Sequence, residues 1–225
     1  LGSIEAVYAL APVQHGILFH NLRGGAATGV DVEQMIATLR EEVDAGALRR
    51  AWGRVTERHG ALRTRFRWEG LDQPVQEVLD RVEVPFSEHS LEQLGEAERT
   101  ARFDEALRAD RRRGFALDEA PLQRVALYRF GASDHRLLWT FSHAMLDGGS
   151  FAGLLAEVFA IYEAERGGRE AALTAPRPYR EHVEGLGLKI AARQGNAAAY
   201  FRSMLAGFRA PTPLPAGAPE GGPAL

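Results

Sequence analysis

A chain of 225 residues with 45% hydrophobic and 25% charged side chains has the composition of a soluble globular protein, long enough for one sizeable core or two small ones. A formal net charge of -3 offers no electrostatic footprint for nucleic acid or an anionic membrane. With no cysteine there is no disulfide framework, no thiol nucleophile and no thiolate metal site.

No apolar run approaches the ~20 residues that cross a bilayer, no signal peptide is visible, and a cytoplasmic location is expected. The chain opens on Leu1-Gly2-Ser3 without an initiator Met and reads as an excised fragment.

Pro12 suits a first helical position, with Val13, Ile17 and Leu18 following at helical spacing. Gly24, Gly25 and Gly29 then predict a loop over 23–30. Val32 to Glu42 has strand character. Leu48, Ala51, Trp52 and Val55 recur at i, i+3, i+4 and i+7, which predicts an amphipathic helix from about Asp44 to Arg58-His59-Gly60. Strands are expected over Leu62 to Trp68 and around Val75 to Leu79, joined by a turn at Gly70, Asp72 and Pro74.

Leu91 to Arg113 reads as a charged helix. Its Arg111-Arg112-Arg113 run is either an anion site or a solvated helix end favoured by the dipole, and the second reading is preferred. Leu122 to Phe130 and Arg136 to Ser142 predict two strands around a Gly131-Ala132-Ser133-Asp134 turn. The second is apolar on both faces, as a buried central strand is. Phe151, Leu154, Leu155, Val158 and Tyr162 predict a helix closing at Gly167-Gly168, and a long helix or helix pair is expected from Tyr179 to Phe208. The Pro-, Gly- and Ala-rich stretch 211–225 reads as a flexible linker after a lobe spanning 1–210. The expected fold class is α/β (α+β), an open mixed sheet with helices packed on it.

Chemistry concentrates at Phe141-Ser142-His143-Ala144-Met145-Leu146-Asp147-Gly148-Gly149-Ser150, where a strand turns into a helix. His143 is either a packed core histidine or a proton-handling group, since imidazole titrates near neutrality. Gly148 and Gly149 allow close approach of a ligand to outward-pointing N–H groups. Asp147 reads as a helix N-cap, as a carboxylate paired with a buried arginine, or as a base. A structural role is preferred, because a carboxylate near a helix start stays ionised. A Ser142-His143-Asp147 triad fails on geometry, because adjacent strand side chains point to opposite faces, and GxSxG is absent. His15 and His20, five apart and without an acidic partner, make no metal site.

The stretch Phe141 to Ser150 resembles the HHxxxDG signature of the condensation domains of nonribosomal peptide synthetases, with Ser142 in place of the first histidine and Gly149 in place of a frequent tryptophan. Tyr8 to His20 resembles that family's opening motif. Arg58-His59-Gly60-Ala61-Leu62-Arg63-Thr64-Arg65-Phe66 resembles RHxxLRTxF at every fixed position. Pro178-Tyr179-Arg180 and Leu205-Ala206-Gly207-Phe208 are similar to the segments that precede the family's linker.

The resemblance implies the N-terminal lobe of a two-lobed, chloramphenicol acetyltransferase-like domain that joins acyl groups on the phosphopantetheine arms of donor and acceptor carrier domains, with no bound cofactor or metal of its own. It implies His143 as the catalytic group, either taking the amine proton or orienting the amine toward the thioester, Gly148 or neighbouring N–H groups at the oxyanion, and Asp147 as a brace with Arg63 a candidate partner. The partners implied are the C-terminal lobe and the two carrier domains. Alternatives are a degenerate, non-catalytic recruitment module, or a variant that forms an ester or a cyclised product.

Overall fold

The computed structural model describes residues 2–24 and 29–210, so the expected linker at 211–225 lies outside the described residues. The chain divides into two compact units, one ending at Glu184 and the other beginning at Gly185. The first carries all the strands among the described residues: β1 (Ile4–Ala9), β2 (Val32–Leu39), β3 (Thr64–Arg67), β4 (Val75–Leu79), β5 (Phe86–Ser90), β6 (Gln123–Gly131) and β7 (Asp134–Ser142). Its helices are α1 (Pro12–Gly24), α2 (Ala45–Arg58), α3 (Glu96–Arg113) and α4 (Phe151–Arg166); α5 (Tyr179–Met204) starts there and continues into the second unit.

The strands form two sheets where the sequence predicts one. An antiparallel sheet has the order β1-β4-β3, and a mixed sheet has the order β2-β7-β6-β5, with β5 parallel to β6. In the second sheet β7 is central and paired along its length on both sides, from Val32 opposite Ser142 to Leu39 opposite His135 on β2. Its two apolar faces explain that place. Leu137, Trp139 and Phe141 face a core shared with Trp52, Val55, Val158 and Ile161 of α2 and α4. Leu138 faces Phe103, Tyr128 and Phe130 under α3. Trp52 and Trp139 meet at 4.9 Å between ring centroids, and Trp139 Nε1 donates to Gln123 Oε1 at 3.0 Å.

The α2 start is as the sequence predicts. Asp44 Oδ1 accepts from Ala47 N–H at 2.9 Å, while the Asp44 N–H donates to Tyr162 Oη at 3.1 Å. Asp44→Ala should lower stability by about 1 kcal/mol in denaturant unfolding; an unchanged midpoint would contradict the cap.

At the other end, Glu157 of α4 receives Arg58 Nε and His59 Nε2, each at 3.0 Å, binding α2 to α4. The chain then makes a 3-10 turn over Gly60–Arg63, so Leu62 and Arg63 precede the strand instead of opening it. Residues 91–95 likewise lie outside α3. Leu91 N–H donates to Arg129 O at 2.8 Å, extending the edge of the sheet. Of the basic run ending α3, Arg111 donates from Nη1 to Val32 O at 2.8 Å, tying the helix to β2.

Candidate functional site

Strand β7 ends where β2 runs out. His143 N–H donates to Asp31 O at 2.8 Å, one step beyond the ladder, and Met145 N–H donates back to Ser142 O at 3.0 Å to make a turn. Ala144, Met145 and Leu146 are buried and anchor this turn in the core, whereas Asp147 to Ser150 are exposed. His143 is half-buried between the two groups.

Its ring makes one informative contact, with Nδ1 lying 2.9 Å from Leu146 O. A carbonyl oxygen only accepts, so in this bond Nδ1 carries the proton and the neutral ring keeps its lone pair on Nε2. Among the described residues no side chain or backbone group hydrogen-bonds to Nε2.

Ser142 is buried, and its Oγ accepts from Ala144 N–H at 3.3 Å, a bond that braces the turn. It does not engage His143. Asp147 Oδ1 accepts from Ser150 N–H at 3.0 Å and from Ser150 Oγ at 2.7 Å. These bonds, the Ser150 hydroxyl above all, hold the Asp147 carboxyl below its ordinary pKa against the opposing effect of partial burial. The Gly149 N–H and the neighbouring His143 contribute in the same direction. Asp147 is therefore an anion that closes its own turn. The cap position of α4 is Ser150, so Asp147 is not the N-cap that the sequence left open. Ser142, His143 and Asp147 thus make three separate sets of bonds, and no triad forms.

Arg63 is not the partner of Asp147. Its buried guanidinium donates from Nη1 to Glu5 Oε2 at 2.6 Å and to Leu79 O, and from Nε to Thr56 O at 3.2 Å. These groups belong to β1, β4 and α2, so Arg63 clamps the three-stranded sheet to α2. A Cβ at Gly148 would meet nothing within 4 Å, and one at Gly149 only Asp147 Oδ1 at 3.6 Å. Neither glycine has a positive φ. The space before them is open, and folding of this loop does not require their small size.

Two further groups reach the loop. Gln14, in the first turn of α1, donates from Nε2 to Ala144 O at 3.0 Å and is itself bonded to Gln76 on β4. In the sequence Gln14 is marked only by its place in the opening motif, two residues after Pro12. Tyr179 is the second. Its pKa is raised first by burial and then by the charge of Asp147.

No group of three or more His, Cys, Asp or Glu side chains suited to a metal occurs among the described residues. None of the described helices is long and apolar enough to cross a membrane. A cavity of about 900 Å³ lies elsewhere, between β5, β6, α2 and α3, and takes in no residue of the His143 turn.

The model of the family described as "Condensation domain" matches residues 4–222. The chain is 39% identical over 222 residues to a protein of the linear gramicidin synthase of Brevibacillus parabrevis, covering 98% of this chain and 3% of that protein. It is 32% identical over 215 residues to bacitracin synthase 1 of Bacillus licheniformis, covering 95% of this chain and 4% of that protein.

Among solved structures, the first condensation domain of the calcium-dependent antibiotic synthetase, in complex with a substrate analogue, superposes with a TM-score of 0.80 at 19% identity. That match covers 94% of this chain and 51% of that one. The starter condensation domain of rhizomide synthetase gives 0.78 at 19% identity, covering 90% of this chain and 50% of that one. The chain thus spans about half the length of these solved chains and a few per cent of the curated relatives. With the family model taking in nearly every residue from β1 onward, the chain belongs to the condensation-domain family.

Proposed function

We propose that this chain is the N-terminal lobe of a nonribosomal peptide synthetase condensation domain, and that His143 serves amide formation between two carrier-bound substrates. The observation that carries the reading is the His143 ring, held through Nδ1 on Leu146 O with Nε2 turned to no protein partner among the described residues.

In the proposed reaction the acceptor amine attacks the donor thioester carbonyl. The new C–N bond forms, the C–S bond breaks, and the donor arm leaves as a thiol. Nε2 accepts the N–H of the attacking amine, orienting it and taking its proton as the tetrahedral adduct forms; that proton ends on the departing sulfur. Asp147 stays ionised, and the nearby His143 ring is one of the groups that keep it so. The Gly149 N–H faces the Asp147 carboxylate, which leaves Gly148 as the candidate donor to the oxyanion. The open space before both glycines admits the substrate.

The phosphopantetheine arms of the donor and acceptor carriers bring the substrates, and the C-terminal lobe supplies the facing wall of the tunnel. Ser142 replaces the family's first histidine without disturbing this assignment, because its side chain is committed to Ala144 N–H. The test is intact-mass analysis of both carriers after incubation with the full-length protein. The acceptor should gain the mass of the donor acyl group through an amide. An acceptor mass unchanged from the control without enzyme would overturn the reading.

A further inference from the structure

Two buried glutamines connect the three-stranded sheet to the turn that carries His143. Gln76 on β4 donates from Nε2 to Ala9 O at 2.9 Å and to Gln14 Oε1 at 3.0 Å. Gln14 Oε1 also accepts from Ala11 N–H at 2.8 Å, and Gln14 Nε2 donates to Ala144 O at 3.0 Å. Gln14 Nε2 lies 3.4 Å from Gln76 Oε1, so the two amides face each other. The side chains are 6% and 1% exposed, and every polar atom of the pair has a partner.

An apolar residue would fill such a site without the cost of burying an amide. What these amides add is direction, since each bond ends on a specific backbone group. Ala144 is the residue after His143, and its N–H is fixed from the other side by Ser142 Oγ. The peptide between His143 and Ala144 is therefore set by Ser142 Oγ of β7 and the next one, between Ala144 and Met145, by Gln14 of α1, while the His143 N–H is set by Asp31 O.

We propose that Gln14, supported by Gln76, is a positioning residue that fixes the turn and thereby the place of His143 Nε2. The proposal rests on the reading of His143 as the catalytic group. Gln14 touches the loop backbone rather than substrate, so its removal should act on kcat and spare KM.

The test compares the full-length protein, Gln14→Met, Gln14→Glu and His143→Ala in the same amide-forming assay, with thermal unfolding measured alongside. Gln14→Met keeps the length of the side chain and loses its directed bonds. It should lower kcat roughly 10- to 100-fold and change KM by no more than about twofold.

Gln14→Glu keeps the shape and can still donate to Ala144 O while protonated. Burial raises its carboxyl pKa while the Ala11 N–H and the Gln76 amide lower it, and its donor is lost as pH rises through the range in which that carboxyl titrates. The ratio of its rate to that of the unmodified protein should fall across that range. A flat ratio, or unmodified kcat in a folded Gln14→Met, would overturn the proposal while His143→Ala remains inactive. If Gln14→Met fails to fold, the pH ratio of Gln14→Glu decides alone. Full activity of His143→Ala would instead remove the catalytic reading on which the proposal stands.

Discussion

His143→Ala in the full-length protein should slow amide formation by about 10²- to 10⁴-fold, the range a positioned proton-transfer group supplies. The structure gives this substitution an unusually clean interpretation. The ring is half-buried and, among the described residues, hydrogen-bonds only to Leu146 O, within its own turn. Its backbone N–H, bonded to Asp31 O, is untouched by the change. Ala144, Met145 and Leu146 stay anchored in the core, so the loop has no reason to unfold. The loss should therefore appear in single-turnover rates with carriers already loaded, and unfolding midpoints should move little. A rate within a few-fold of the unmodified protein would favour a recruitment module over an acyltransferase.

The second large effect concerns Arg124 and Asp110, which hold α3 to the far face of β7. Arg124 donates from Nε to Asp110 Oδ1 at 2.5 Å, from Nη2 to Asp110 O at 2.7 Å and from Nη1 to Gly114 O at 2.9 Å. Asp110 Oδ2 accepts from Thr140 Oγ1 at 2.6 Å and from Gln34 Nε2 at 3.0 Å. Thr140 stands two residues before Ser142, so this network secures the strand that delivers His143. The two side chains are 9% and 19% exposed, and removing one partner leaves the other charge largely desolvated. Arg124→Met should cost about 3–5 kcal/mol in denaturant unfolding at neutral pH.

The sign of the pH dependence follows from Asp110. Burial alone would raise its pKa, but Arg124, Thr140 and Gln34 outweigh burial and hold it below the ordinary carboxylate value. A folded pKa below the unfolded one adds stability that is complete above the unfolded value of about 3.9 and is lost as pH falls through the folded one. Without Arg124 the desolvation of Asp110 is left less opposed, and protonation relieves it. The stability gap between the unmodified protein and Arg124→Met should therefore narrow as pH drops below about 4. A gap independent of pH would show that the variant loses packing alone.

The elements most legible in the sequence were those whose burial is one-sided or complete. The i, i+3, i+4 spacing of Leu48, Ala51, Trp52 and Val55 placed α2, and the largely apolar run Leu137 to Phe141 placed β7 at the centre of its sheet. Strand β5 left no such trace. Its residues Phe86 to Ser90 are mostly exposed, and it is held through backbone pairing with β6, so no apolar alternation marks it.

That same blindness to edges misdirected Arg63. Its carboxylate partner is Glu5 on β1, a strand with a largely exposed side, while Asp147 found Ser150 three residues away. That Ser142 and His143 make separate sets of bonds was readable from strand parity. The support of the His143 loop by Gln14 was not, because the bond to Ala144 joins residues 130 apart and depends on the α1 start reaching the end of β7.

The most direct measurement is the ring tautomer of His143, read from long-range 1H–15N spectra of the protein labelled with 15N-histidine, with His143→Ala used to assign the signal. Bonding to Leu146 O predicts that the neutral form of the ring carries its proton on Nδ1, with Nε2 showing the shift of a nitrogen that holds a lone pair. A neutral ring carrying its proton on Nε2 would contradict the account, because the nitrogen assigned to receive the amine proton would already be occupied.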